Sequence, residues 1–156
     1  MKKNILLLLI SFGVFAQQNK KPYPTQAENE IWLNEYRNIQ SDSVRISEIK
    51  KKIYSDTLYY NYKKRIILDN PRDPKKHICK VLFVIEYENK YFDFDLLENP
   101  KLLKVIKSIN MKNILSINIL ENPENVIYFG AQGICGVIRI KCNKKLYRKL
   151  KKVYKL

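Results

Sequence analysis

Residues 113–142, NILSINILENPENVIYFGAQGICGVIRIKC, decide how this chain folds. Leu115, Ile117 and Ile119 alternate with Ser116 and Asn118, so the opening of the stretch predicts a strand with one apolar and one polar face. Ile138, Ile140 and Cys142 alternate with Arg139 and Lys141 and predict a second strand of the same kind. Between them Glu121-Asn122-Pro123 starts a helix of about two turns, which ends at Gly130, Gly133 and Gly136, spaced three apart. Glycine at that density points to backbone at positive φ or to close approach of another backbone. A sheet containing both strands, joined through a short helical crossover, is the expected outcome.

Upstream, Val81–Ile85 (VLFVI) is a continuous apolar run and predicts a central strand covered on both faces. Glu88-Asn89-Lys90 supplies turn residues, and Tyr91–Phe94 predicts a short returning strand. Asn99 is placed to cap a helix, with Pro100 in its first turn. Leu102, Val105, Ile106 and Ile109 form its apolar stripe. The Glu-Asn-Pro start occurs before both helices, which predicts shared capping chemistry rather than a duplication.

This arrangement resembles the end of the plug domain of TonB-dependent outer-membrane receptors. The resemblance rests on Ile114, Ser116, Ile117 and Leu120, then on Gly130, Gly133, Gly136, Val137 and Ile138, with Leu82–Ile85 matching an earlier plug strand. The chain departs from the family pattern at Phe129, Gln132 and Cys135, and at Glu86 and Tyr87, where the family has a tight turn. The resemblance covers roughly residues 81–142. It implies a small mixed sheet with short helices, an α+β fold. It also implies a free-standing plug-like module without a barrel, because only 14 residues follow Cys142 and no convincing TonB box stands near the start. Comparable modules occur appended to membrane metallopeptidases.

Residues 1–16 read as a secretory signal peptide, with Lys2 and Lys3 before the mostly apolar Ile5–Phe15 and small residues at the cleavage region. The apolar run is about half the ~20 residues that a membrane-spanning helix needs. The expected location is therefore periplasmic or outer-membrane-associated. Loss of the two lysines lowers the formal charge from +15 to +13. In an exported chain that charge points away from nucleic acid and towards lipid headgroups, acidic protein faces or a simply solvated surface.

Residues 17–75 form an N-terminal helical and extended segment. After an extended leader with Pro22 and Pro24, residues 28–40 have helical spacing, with Trp32, Tyr36 and Ile39 on one face. Ser41-Asp42-Ser43 starts a second helix running to about Tyr54. It buries Ile46, Ile49 and Ile53 and pairs Glu48 with Lys52. Thr57–Leu68 reads as a tyrosine-rich strand or hairpin arm, and residues 70–76 as a break before the plug-like part, 76–142.

The tail, residues 143–156, holds seven lysines and arginines and no acid. Leu146, Leu150 and Val153 fall on one helical face, with Tyr147 and Tyr154 nearby. Such a helix either docks on the domain or lies on an anionic membrane surface through Lys144, Lys145, Arg148, Lys149, Lys151 and Lys152.

Three cysteines, Cys79, Cys135 and Cys142, permit one disulfide and one thiol in an oxidising compartment. Cys79 begins one predicted strand and Cys142 ends another, so antiparallel neighbours would join Cys79 to Cys142. Three small buried hydrophobes are the alternative. His77 lies two residues from Cys79 without a third orienting group, and Asp93 and Asp95 could share a face as a weak cation site. The glycine run precedes a strand, unlike a phosphate-binding loop. No catalytic set, metal site or cofactor is expected. The sequence points to a non-enzymatic exported module that binds a cell-envelope protein, with a basic surface binder of anionic lipid or polyanion as the alternative.

Overall fold

The computed structural model describes residues 24–58 and 79–155. The signal-like stretch, most of the tyrosine-rich arm, the break at residues 70–76 and His77 lie outside the described residues. The chain is an α+β fold with a four-stranded mixed sheet and five α-helices among the described residues.

Two helices open the described chain: α1, Gln26–Arg37, and α2, Asp42–Asp56. A capping box starts α1: Glu28 N–H donates to Thr25 Oγ1 at 3.3 Å, and Thr25 N–H donates to Glu28 Oε2 at 2.6 Å. The Thr-x-x-Glu signature for this cap is in the sequence, and it starts the helix two residues before the expected position. The second helix runs two residues past Tyr54 and buries Ile46, Ile49 and Ile53 as expected. The expected Glu48–Lys52 pair does not form. Glu48 pairs with Lys51 at 2.6 Å, while Lys52 turns into the core and meets Asp56 at 3.2 Å.

Strands β1 (Leu82–Tyr87), β2 (Lys90–Asp93), β3 (Ile114–Leu120) and β4 (Val137–Cys142) lie in the order β2-β1-β4-β3. The first two form an antiparallel hairpin. Its two turn residues, Glu88 and Asn89, have φ of 46° and 61°, the left-handed pair that a two-residue hairpin turn requires. β1 and β4 run parallel, and β4 and β3 antiparallel. The apolar run of β1 is explained by this order: it is an inner strand, and Phe83, Val84 and Ile85 are buried although they point to alternate faces.

The two predicted strands of 113–142 are neighbours in one sheet. β4 keeps its alternation, with Ile138, Ile140 and Cys142 buried beneath the helices and Lys141 exposed. β3 departs from the simple alternation at its start. Ile114 pairs with Cys142 and Ser116 with Lys141, so Leu115 is an extra residue in a bulge and is 63% exposed. The bulge hands the inward position to Ile114.

One sheet face carries Phe83, Ile85, Phe92, Ile138, Ile140 and Cys142 into the main core. That core is completed by Leu33, Tyr36, Ile46, Ile49 and Ile53 from the first two helices. Leu102, Val105, Ile106 and Ile109 come from α3 (Leu103–Ser108) and its flanks, and Leu146, Tyr147 and Leu150 from α5 (Lys144–Tyr154). The N-terminal helices and the tail are thus built into the same core as the sheet.

Two capping expectations are corrected. Neither Asn99 nor Asn122 caps a helix through its side chain. Residues Pro100–Leu102 form a 3-10 turn, so Leu102 N–H, a donor the Asn99 side chain would cap, goes to the Asn99 carbonyl at 3.0 Å instead. At α4, Glu124–Phe129, the first donors bond the carbonyls of Glu121 and Pro123, and Val126 N–H also bonds Asn125 Oδ1.

Candidate interaction surface

The second sheet face is built by the register. Across the sheet it shows Tyr91, Glu86, Lys141 and Ser116 in one row, Asp93, Val84, Arg139 and Asn118 in the next, and Leu82, Val137 and Leu120 in a third. Val84, Val137 and Leu120 form a small second core, with Leu82 and Phe129 packed against it. The covering element is α4 with its following 3-10 turn, Gly130–Gly133. It is only one and a half turns long, so the rest of this face meets solvent. Arg139 Nε stands 3.4 Å from Glu86 Oε2 across the two inner strands.

A six-residue helix cannot bury both its sides. Phe129 turns down and meets the Tyr91 ring edge-on, with centroids 6.4 Å apart. Val126, Ile127 and Tyr128 point outward, Ile127 at 71% and Tyr128 at 67% exposure, and Tyr91 is half exposed beside them. Isolated exposed apolar residues are ordinary, whereas several large ones in one place mark a surface that something covers.

The glycines set the shape of this covering element. Gly130 and Gly133 lie inside the 3-10 turn, and Gly136 alone leads directly into β4. Gly136 has φ +98°, and a Cβ on it would run into Leu33 Cδ1 of the first helix. A Cβ on Gly133 would strike the Asn125 carbonyl. Asn125 is buried and donates from Nδ2 to the Gly133 carbonyl at 3.1 Å, closing the turn on itself. The run therefore permits close packing of backbone, as expected, but two of its members sit in a helical turn rather than an extended one.

The disulfide joins Cys79 to Cys135, with Cα atoms 6.0 Å apart, and Cys142 is a buried thiol. The expected Cys79–Cys142 pair is corrected by topology. Because β1 and β4 are parallel, the residues before their starts lie side by side, where Leu82 pairs with Val137. Cys142 ends β4, roughly 20 Å away at about 3.3 Å per residue. Burial pushes its thiol up to about 11, so at neutral pH it is an inert core residue. Around the bridge, Asn29 Nδ2 donates to the Cys79 carbonyl at 3.0 Å, and Cys79 N–H donates to the Pro24 carbonyl. The start of α1 is thereby tied to the start of the sheet.

The other site candidates are occupied by ordinary contacts. Asp95 pairs with Lys80 and accepts from Leu97 N–H, so ordinary contacts engage its carboxylate; Asp93, which ends β2, has its carboxyl pushed up by burial and then by the nearby Glu98 and Asp95, with Lys80 opposing. Asp56 is pushed up to about 6, chiefly because burial disfavours its charge, with Lys52 opposing. Among the described residues no group of three His, Cys, Asp or Glu could hold a metal ion, and no helix is long and apolar enough to cross a membrane.

The tail helix is docked. Asn143 caps it, accepting from Lys145 and Leu146 N–H, and Leu146 and Leu150 are fully buried. Tyr147 stacks on Tyr87 with centroids 4.2 Å apart, and Tyr154 donates to the Asp93 carbonyl. The apolar stripe is used inside the domain. Lys144, Lys145, Arg148, Lys149 and Lys152 remain exposed and Lys151 is half-buried.

No family model, curated protein or solved structure matches the chain.

Proposed function

We propose that the chain is a non-enzymatic exported module that binds a protein of the cell envelope through the α4 side of its sheet. The observation that carries this reading is that Val126, Ile127 and Tyr128 of α4 are all exposed, with exposed Tyr91 against Phe129 of the same helix, above a sheet face that α4 covers only in part. Aromatic and aliphatic side chains held on a folded helix and strand lose little conformational freedom on docking, which favours their use as interface anchors. The plug-like reading draws support from the adjacency of β3 and β4, their short helical connection and the close-packed Gly136. The edge of β3, outermost among the described strands, is less suited to pairing with a partner strand. Its Ile117 carbonyl accepts from Arg45 Nη2 at 3.3 Å, and the bulge at Leu115 interrupts it.

The test is crosslinking of the mature protein in envelope extract, comparing wild type with an Ile127→Ser, Tyr128→Ser variant. The expected result is a discrete crosslinked protein that the variant loses while its thermal midpoint is unchanged. Equal capture by both proteins would refute this surface, and capture of nothing discrete would refute the reading.

A further inference from the structure

The opposite side of the molecule carries a second, chemically different surface. The segment 99–113, which contains α3, has four lysines and no acid, and the tail helix region 143–155 has seven cations and no acid. In sequence they are 30 residues apart. The fold makes them neighbours: α3 and α5 pack side by side on the same face of the sheet. Their ends are pinned together, with Asn143 Nδ2 donating to the Lys112 carbonyl at 3.0 Å and Asn143 N–H to the Asn113 carbonyl at 3.1 Å.

Both helices spend their apolar stripes inward, so their outward faces are left to cations. At about 100° per residue Lys144, Lys145, Arg148, Lys151 and Lys152 fall on the side of α5 away from Leu146 and Leu150, and Lys149 flanks that stripe with its side chain exposed. Lys104 and Lys107 on α3 and Lys101 in the turn before it are exposed. At the far end of α5 Tyr154 donates to the Asp93 carbonyl, so the acid-bearing segment Asp93, Asp95 and Glu98 bounds the surface there.

We propose that this two-helix surface adsorbs on an anionic phospholipid bilayer. The cations match its headgroup charge, and long lysine stems reach headgroups without deforming the fold. The exposed apolar residues among them are aliphatic, Leu103 and Met111, suited to the acyl boundary. The aromatic rings of α5 face inward, Tyr147 on Tyr87 and Tyr154 on Phe92, and so offer nothing for bases to stack on. Adsorption is peripheral, because the stripe that would insert is already buried in the core.

The full mature chain is sedimented with vesicles of phosphatidylglycerol and phosphatidylcholine in equal parts, and with phosphatidylcholine alone. Binding is expected only to the anionic vesicles and is lost near 1 M salt, where the screening length falls to about 3 Å. Lys104→Gln and Lys149→Gln should each lower the partition coefficient about fivefold. Lys51→Gln, the same charge change on the exposed part of α2, should leave it nearly unchanged. No binding to anionic vesicles at low salt overturns the proposal, as does an equal loss with Lys51→Gln, which would make it an effect of net charge. An effect of Lys149→Gln without one of Lys104→Gln overturns the two-helix surface. Displacement by duplex DNA at a lower phosphate concentration than vesicle lipid would assign the surface to nucleic acid instead. Unchanged thermal midpoints exclude misfolding of the variants.

Discussion

Breaking the Cys79–Cys135 bridge should cost the fold about 4 kcal/mol. The bridge closes a loop of 56 residues. Loop-closure entropy removed from the unfolded chain stabilises by about 3 kcal/mol for a 15-residue loop and about 4.7 kcal/mol for a 100-residue loop, so this one falls near 4 kcal/mol. A domain of this size loses roughly 3–4 °C of midpoint per kcal/mol, which sets the expected drop at about 12–16 °C. The assay is thermal unfolding of the oxidised and reduced mature protein, with a Cys79→Ala, Cys135→Ala variant and a Cys142→Ala variant alongside. Reductant should shift wild type and Cys142→Ala alike and leave the double variant unmoved. The parallel pairing of β1 and β4 brings their starts, and with them Cys79 and Cys135, together. A peptide map linking Cys79 to Cys142, or a Cys142→Ala protein indifferent to reductant, would refute that pairing.

Gly136→Ala should destabilise by about 2–5 kcal/mol in urea unfolding. It adds backbone strain at φ +98° to a collision with buried Leu33. Gly130→Ala, with open space around its Cβ, should cost only the strain, about 1–3 kcal/mol. Asp56 binds its proton more tightly folded than unfolded, so its contribution to stability is present below about pH 4 and is lost as pH rises through about 6. The midpoint of wild type relative to Asp56→Asn should therefore fall across that window, and a flat difference would contradict it. Leu150→Ala should cost about 2–5 kcal/mol, because its side chain fills the core, whereas Lys149→Gln should stay within about 0.5 kcal/mol. Chemical denaturation of the two variants checks whether the tail is part of the domain.

Local pattern carried much of the fold. The alternation in β4, the apolar run of β1, the two turn residues after it and the stripe at Leu102, Val105, Ile106 and Ile109 are each readable within a dozen residues. Side-chain periodicity follows from the backbone geometry of a helix or strand alone. The cap at Thr25 was equally local and is marked by Glu28 three residues on. Its own signal lay in what reads as an extended leader.

Which segments are helix or strand, and which of their faces are apolar, is therefore legible without the fold. The direction in which strands pair was decided only by tertiary structure. β1 and β4 are separated by some fifty residues, and no pattern within either strand distinguishes a parallel from an antiparallel neighbour. That single choice moved the disulfide from Cys142 to Cys135. Tertiary packing likewise decided that Leu115 bulges outward, that Lys52 turns in to Asp56, and that the tail's apolar stripe serves the core. The basic surface has the same origin. The lysines of two helices 30 residues apart become one field because both helices must bury their apolar sides against the same sheet face.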